Sequence, residues 1–74
     1  HTVQVDGLMR IDEVNTELGT NLPEDDEYET VAGFVLHQLR RIPNEGEKLS
    51  YGDIELTIRE MTGPKIEKLF LKRD

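Results

Sequence analysis

The chain of 74 residues has no cysteine and no tryptophan, only two Phe and two Tyr, three Pro and six Gly. Each shortage excludes something. Without cysteine there is no disulfide framework and no thiolate metal site, a composition that fits a reducing compartment. With four aromatics there is almost no platform on which nucleic-acid bases could stack. No apolar run approaches the roughly 18 residues needed to cross a bilayer as a helix, and no signal-peptide pattern opens the sequence, so a cytoplasmic location is expected. Basic residues are scarce in the first half: residues 1–30 hold Arg10 alone against nine Asp and Glu, whereas residues 31–74 hold eight Lys and Arg against seven acids. A net charge of −7 repels nucleic acid and anionic membrane surfaces and attracts cations and basic partners.

What is present is enough for one small core. Hydrophobic residues make up 35% of the chain, sufficient for two packed layers in a single domain but not for a large internal ligand cavity. Val3 and Val5 alternate with polar neighbours up to Asp6-Gly7, and Leu8 to Ile11 follows, which predicts an opening hairpin with a two-residue turn. Asp12 is the expected N-cap of a first helix carrying Ile11, Val14 and Leu18 on one face and stopped by Gly19. Leu22 and Tyr28 are expected to fold back onto the core from a polar loop. Thr30 is the expected N-cap of a second helix, and the acids before it would favour its positive end. Val31, Ala32, Phe34, Val35, Leu36 and Leu39 cover most of that helix, while Gly33 within it suggests a close neighbour.

Pro43 ends the second helix. Lys48 to Tyr51, a Gly52-Asp53 turn and Ile54 to Met61 then read as a hairpin with Ile54, Leu56 and Ile58 on one face. A last strand, Ile66 to Leu71, breaks strict alternation, so a bulge near Glu67 or Lys68 is predicted. The expected fold is α+β: two helices on one face of a mostly antiparallel sheet of four to five strands, in the order β-β-α-α-β-β-β.

Asp6-Gly7, Ile11, Val14 to Leu18-Gly19, Leu22-Pro23, Thr30-x-x-Gly33, Leu39, Ile42-Pro43-x-x-Gly46-Glu47 and Ile66 together resemble the transporter-associated domain of CorC/HlyC-type proteins. Those proteins are also known as hemolysin-like and are relatives of the cyclin-M-like transporters. The resemblance covers nearly the whole chain. It implies a non-catalytic accessory module, with a fold related to part of flavin-binding domains, on the cytoplasmic side of a larger membrane protein. In such proteins the module follows a membrane region and a pair of CBS domains, and the parents are associated with magnesium and cobalt efflux. The implied partners are those CBS and membrane domains. Independently of the resemblance, short outer strands of mixed polarity leave sheet edges to cover, so a homodimer is a further expectation, while charge and hydropathy lead us to expect no nucleic acid and no direct membrane insertion. One departure stands out: the family pattern has Gly before Arg-Ile-Pro, and this chain has Arg40.

Chemistry-bearing motifs are few. G-x-G-x-x-G and G-x-x-x-x-G-K-[ST] are both missing, so FAD is not expected despite the fold kinship, although a flavin-related or small-ligand module is the alternative reading. His37 lies beside Gln38 with no second ligand at zinc spacing, and Ser50, the single serine, has no base tied to it, so no enzyme is expected. Glu24, Asp25, Asp26 and Glu27 form the one candidate site, a weak Ca²⁺ or Mg²⁺ position made of hard carboxylate oxygens, which makes a divalent-cation-sensing module the further alternative. Their spacing does not fit a calcium loop, and a solvated charge run is the commoner meaning. Gly7, Thr30, Gly33, Phe34, Leu39, Ile42, Pro43 and Gly46 are assigned structural roles.

Overall fold

A computed structural model describes residues 2–73. Six elements follow one another: β1 (Thr2–Asp6), α1 (Ile11–Leu18), α2 (Val31–Leu39), β2 (Lys48–Tyr51), β3 (Ile54–Thr62) and β4 (Lys65–Arg73). The strands form one antiparallel sheet in the order β1-β4-β3-β2, and both helices pack on one of its faces. The α+β class is therefore as expected, with four strands in the order β-α-α-β-β-β.

The opening hairpin does not form. β1 pairs with β4, Val3 opposite Leu71 and Val5 opposite Leu69, and Leu8 to Arg10 turns the chain into α1 instead of returning as a strand. Asp6-Gly7 looks like a hairpin turn only in one dimension. Gly7 is required by proximity, because a Cβ there would lie 2.1 Å from the Ile66 carbonyl oxygen. Its N–H donates to Glu67 O at 2.8 Å and its carbonyl accepts from Ala32 N–H at 3.0 Å, so this glycine is the point where β1, β4 and α2 meet.

α1 starts two residues earlier than expected. The cap position is Arg10, and Asp12 sits inside the first turn, where its Oδ1 accepts from Glu13 N–H at 2.9 Å. Glu13 reaches back to accept from Arg10 N–H at 3.1 Å, supplying one half of a capping box. Gly19 closes the helix in the left-handed region, as its position predicts.

α2 begins at Thr30, whose Oγ1 accepts from Gly33 N–H at 3.1 Å. The other early donors are taken by the chain leaving β1: Val31 N–H by Met9 O and Ala32 N–H by Gly7 O. The acids before Thr30 therefore do not cap this helix. A Cβ on Gly33 would stand 3.0 Å from Tyr28 Cβ, which explains a glycine inside an otherwise apolar helix. At the other end Arg40 occupies φ 60° and still donates its N–H to Leu36 O. The missing cap glycine is thus replaced by a strained arginine with the same hydrogen bond.

The predicted bulge is present. Between the pairs Glu60–Lys68 and Met61–Ile66, β4 advances by two residues while β3 advances by one, leaving Glu67 unmatched. Arg59 is the compensating extra residue on β3. Ile66, Leu69 and Leu71 consequently all face the core. There they meet Leu56, Ile58, Val14, Val31, Val35, Leu22 and Phe34, whose ring makes edge contacts with Tyr28 at 5.5 Å and Tyr51 at 5.3 Å. Pro43 is buried and Leu39 packs partly against the core, but Ile42 is 57% exposed. Its assigned structural role is therefore not a core one.

Candidate functional site

The loop from Gly19 to Glu29 is built around one side chain of α1. Asn15 Oδ1 accepts from Leu22 N–H at 2.9 Å and from the Thr20 hydroxyl at 2.8 Å, while its Nδ2 donates to Leu22 O at 2.8 Å. Leu22 is thereby pulled into the core. Tyr28 closes the other end by donating its hydroxyl to Pro23 O at 2.7 Å. Burial, followed by the charges of Asp25 and Tyr51, raises the Tyr28 pKa above its ordinary value, so the phenol stays neutral and remains a donor.

With both ends fixed, the acidic residues between them face a groove of about 280 Å³ beside the start of α1. Glu24, Asp25 and Asp26 line it together with Glu29, Asp12 and Arg10. Arg10 was legible only as the lone base of the first thirty residues, yet it is the internal cation of this site. Its Nε donates to Asp12 Oδ1 at 3.2 Å, and its Nη1 lies 3.8 Å from Glu29 Oε2. The Asp12 bond, with the charges of Asp12 and Glu29, raises the Arg10 pKa further. Five carboxylates against one guanidinium leave the groove strongly negative.

The four predicted metal ligands do not stay together. Glu27 turns away to His37, whose Nε2 lies 2.9 Å from Glu27 Oε2. Asp25 is partly used by its own turn, accepting from Glu27 N–H at 2.9 Å. Among the described residues no group of three or more His, Asp or Glu side chains converges as a metal cage. The groove is a diffuse field for a cation, and chelation geometry is not built into it.

The His37 ring lies 5.2 Å from that of Tyr28, and its Nδ1 is buried without a partner among the described residues. Because a carboxylate only accepts, the proton of the 2.9 Å contact with Glu27 lies on His37 Nε2. Ser50 lies on β2, exposed, and is not joined to His37.

A second loop, residues 40–47, is held by charge instead of an amide. Both terminal guanidinium nitrogens of Arg41 donate to the Glu47 carboxylate, Nη1 at 3.0 Å to Oε1 and Nη2 to Oε2. Asn44 N–H also donates to Glu47 Oε1 at 3.1 Å. The Arg41 bond, then the Asn44 N–H, hold the Glu47 carboxyl below the ordinary glutamate range. Gly46 N–H donates to Ile58 O and Ile58 N–H to Glu47 O, at 2.7 and 2.8 Å, so this loop extends the sheet beyond β2.

No described helix is long and apolar enough to cross a membrane. Against known proteins, the family described as "Transporter associated domain" (CorC_HlyC) matches residues 1–74. A UPF0053 protein of Mycobacterium tuberculosis is 43% identical over 60 residues, 81% of this chain and 12% of that protein. The polyamine export protein of Haemophilus influenzae is 28% identical over 68 residues, 90% of this chain and 16% of its own length. The chain thus spans less than a fifth of these relatives. Among solved structures, the corresponding domain of a Xylella fastidiosa hemolysin in complex with Mg²⁺ and Mn²⁺ superposes with a TM-score of 0.86 at 30% identity, covering 99% of this chain and 87% of that one. The fold, the whole-length match and the spaced Thr, Gly and Ile-Pro positions agree: the chain belongs to the CorC/HlyC transporter-associated domain family.

Proposed function

We propose that this domain is a non-catalytic regulatory module of a membrane protein that exports cations, placed on the cytoplasmic side beside CBS and membrane domains of the same chain. It works by contact: one arrangement of those neighbours is favoured when the module's helix face is bare, another when cations screen it. A cation acts in this way only if its affinity differs between the two arrangements.

The observation that carries the reading is how charge is divided between the two layers. Residues 7–39, the helices with the loop between them, hold eight acids and one base. The strand segments 2–6 and 40–73, with the loop that extends the sheet, hold seven acids and eight bases. Nearly all the negative field therefore belongs to one face, and its densest part is the groove of Asp12, Glu24, Asp25, Asp26 and Glu29. Magnesium and manganese in the Xylella fastidiosa relative and polyamine in the name of the Haemophilus influenzae protein are all cations. A site with that charge and no chelating cage accommodates either class weakly, with dissociation constants of about 10⁻⁴ to 10⁻³ M for a divalent ion. FAD has no place in this mechanism.

The test is titration of the chain with Mg²⁺, Ca²⁺ and spermidine, followed by amide NMR shifts and repeated on the Asp25→Asn, Asp26→Asn double variant. Shifts should concentrate at residues 10–12 and 24–29 and weaken several-fold in the variant. Micromolar affinity that survives the double substitution would place the site elsewhere and sink this reading.

A further inference from the structure

The two edges of the sheet are protected very differently. β2 carries Lys48, one of the features that keep an edge from recruiting another strand. β1, Thr-Val-Gln-Val-Asp, has no lysine, no proline and no register shift along its pairing with β4. Thr2, Val3, Gln4 and Asp6 are all exposed, and among the described residues no element pairs with the outer side of β1.

Hydrogen-bond parity shows which groups that outer side presents. Gly7 N–H donates to Glu67 O, continuing the β1–β4 ladder one residue past Asp6–Lys68. In an antiparallel ladder inward and outward groups alternate, so Val3 and Val5 bond to β4 while the N–H and C=O of Gln4, the Thr2 C=O and the Asp6 N–H point outward. The opposite side of the sheet gives the same parity. Ile58 spends both backbone groups on Gly46 and Glu47, which leaves its β4 partner Leu69 free to bond Val5. The Asp6 C=O, the next outward acceptor, is already taken by Met9 N–H at 3.0 Å, so the open edge stops there.

We infer that β1 is a dimerisation edge, pairing antiparallel with β1 of a second copy about a two-fold axis at Gln4. In that register Gln4 faces Gln4 and exchanges both backbone hydrogen bonds, and the Asp6 N–H of each copy donates to Thr2 C=O of the other. Every outward group named above then has a partner. On the helix side Val3, 37% exposed in the single chain, meets Val5 of the second copy. On the other face Asp6 stands opposite Thr2, so no like charges oppose each other across the new pair. A second copy is singled out among possible strands because the edge is complementary to itself in backbone, apolar and charge pattern at one and the same register. The pairing is independent of the cation reading: it uses no residue of the acidic groove.

The two-fold axis stands perpendicular to the joined sheet and so places both acidic helix layers on the same side. Dimerisation should therefore strengthen with added salt, which screens that repulsion.

Sedimentation of the chain across a concentration series up to millimolar tests the edge, alone and as Gln4→Pro. Proline removes an N–H that the β1–β4 ladder does not use and is tolerated on edge strands. The expected result is a monomer–dimer equilibrium that tightens between low and high salt and weakens at least about tenfold in Gln4→Pro. A second variant guards against misfolding of the first. The chain has no cysteine, so Gln4→Cys introduces a single thiol, and facing positions of a hydrogen-bonded pair lie about 5.5 Å apart, within disulfide reach. Mild oxidation should cross-link Gln4→Cys rapidly and Ser50→Cys, on the opposite edge, slowly. Strictly monomeric behaviour at millimolar concentration, an unchanged dimer in Gln4→Pro, or equal cross-linking from the two edges would each overturn the inference.

Discussion

The loops on either side of α2 are both charged, and they handle their charge in opposite ways. Residues 19–29 are fixed by an amide and a phenol: Asn15 binds the Thr20 hydroxyl and both backbone groups of Leu22, Tyr28 binds the Pro23 carbonyl, and most of the carboxylates are left to face a groove. Residues 40–47 are fixed by the charges themselves, because Glu47 is used up by Arg41 and Asn44. Neutral fastening keeps a field available for a ligand, whereas ionic fastening cancels it. The second loop is consequently a structural extension of the sheet, and the first is where a cation would be felt.

The largest effect expected from breaking this contrast is at Asn15. Asn15→Ala removes three part-buried hydrogen bonds at once and strands Leu22 N–H and C=O, for a loss of about 2 to 3 kcal/mol in urea unfolding. Exchange of the Leu22 amide should accelerate with it. A loss under about 0.5 kcal/mol would mean that Leu22 burial alone holds the loop.

Arg40→Gly probes the strained start of the second loop. Glycine adopts φ 60° without the Cβ penalty, so the variant should be more stable by about 1 kcal/mol, read as a rise in the urea midpoint with unchanged slope. A less stable variant would show that the arginine side chain contributes more than its backbone costs.

The smallest effect is at Glu47 and depends on pH. Its carboxyl is depressed in the folded chain, so its contribution is complete above the ordinary glutamate pKa and is lost as pH falls through the lower folded value. Glu47→Gln should therefore be less stable than the parent at neutral pH, with the two unfolding curves converging in acid. A difference that persists unchanged in acid would assign the effect to packing and not to the Arg41 pair.

Some local patterns are legible because the responsible physics is local, although the α1 cap lies at Arg10 and not at Asp12. Thr30 caps α2 because its hydroxyl is three residues from the donor it satisfies. The bulge at Glu67 was legible because Ile66, Leu69 and Leu71 cannot share one face of a regular strand. Asp6-Gly7 misled for the opposite reason: the glycine answers to Ile66, far along the chain, and nothing nearby in sequence reveals that contact. The acid run was visible as charge, but Glu27's departure to His37 and Arg10's arrival from the first turn of α1 were not.

By itself the sequence determined the helix-forming segments, the second hairpin, the residues of the core and the sign of the field over the first half of the chain. All of these follow from periodicity, capping and composition within a few residues. Only the tertiary structure decided that β1 joins β4, that β1 is an open edge while β2 is guarded, and that three of the four predicted carboxylates share a groove with Arg10. Those outcomes depend on which backbone groups and charges far apart in the chain are brought within hydrogen-bonding or Coulombic range, and a linear pattern carries no record of that distance.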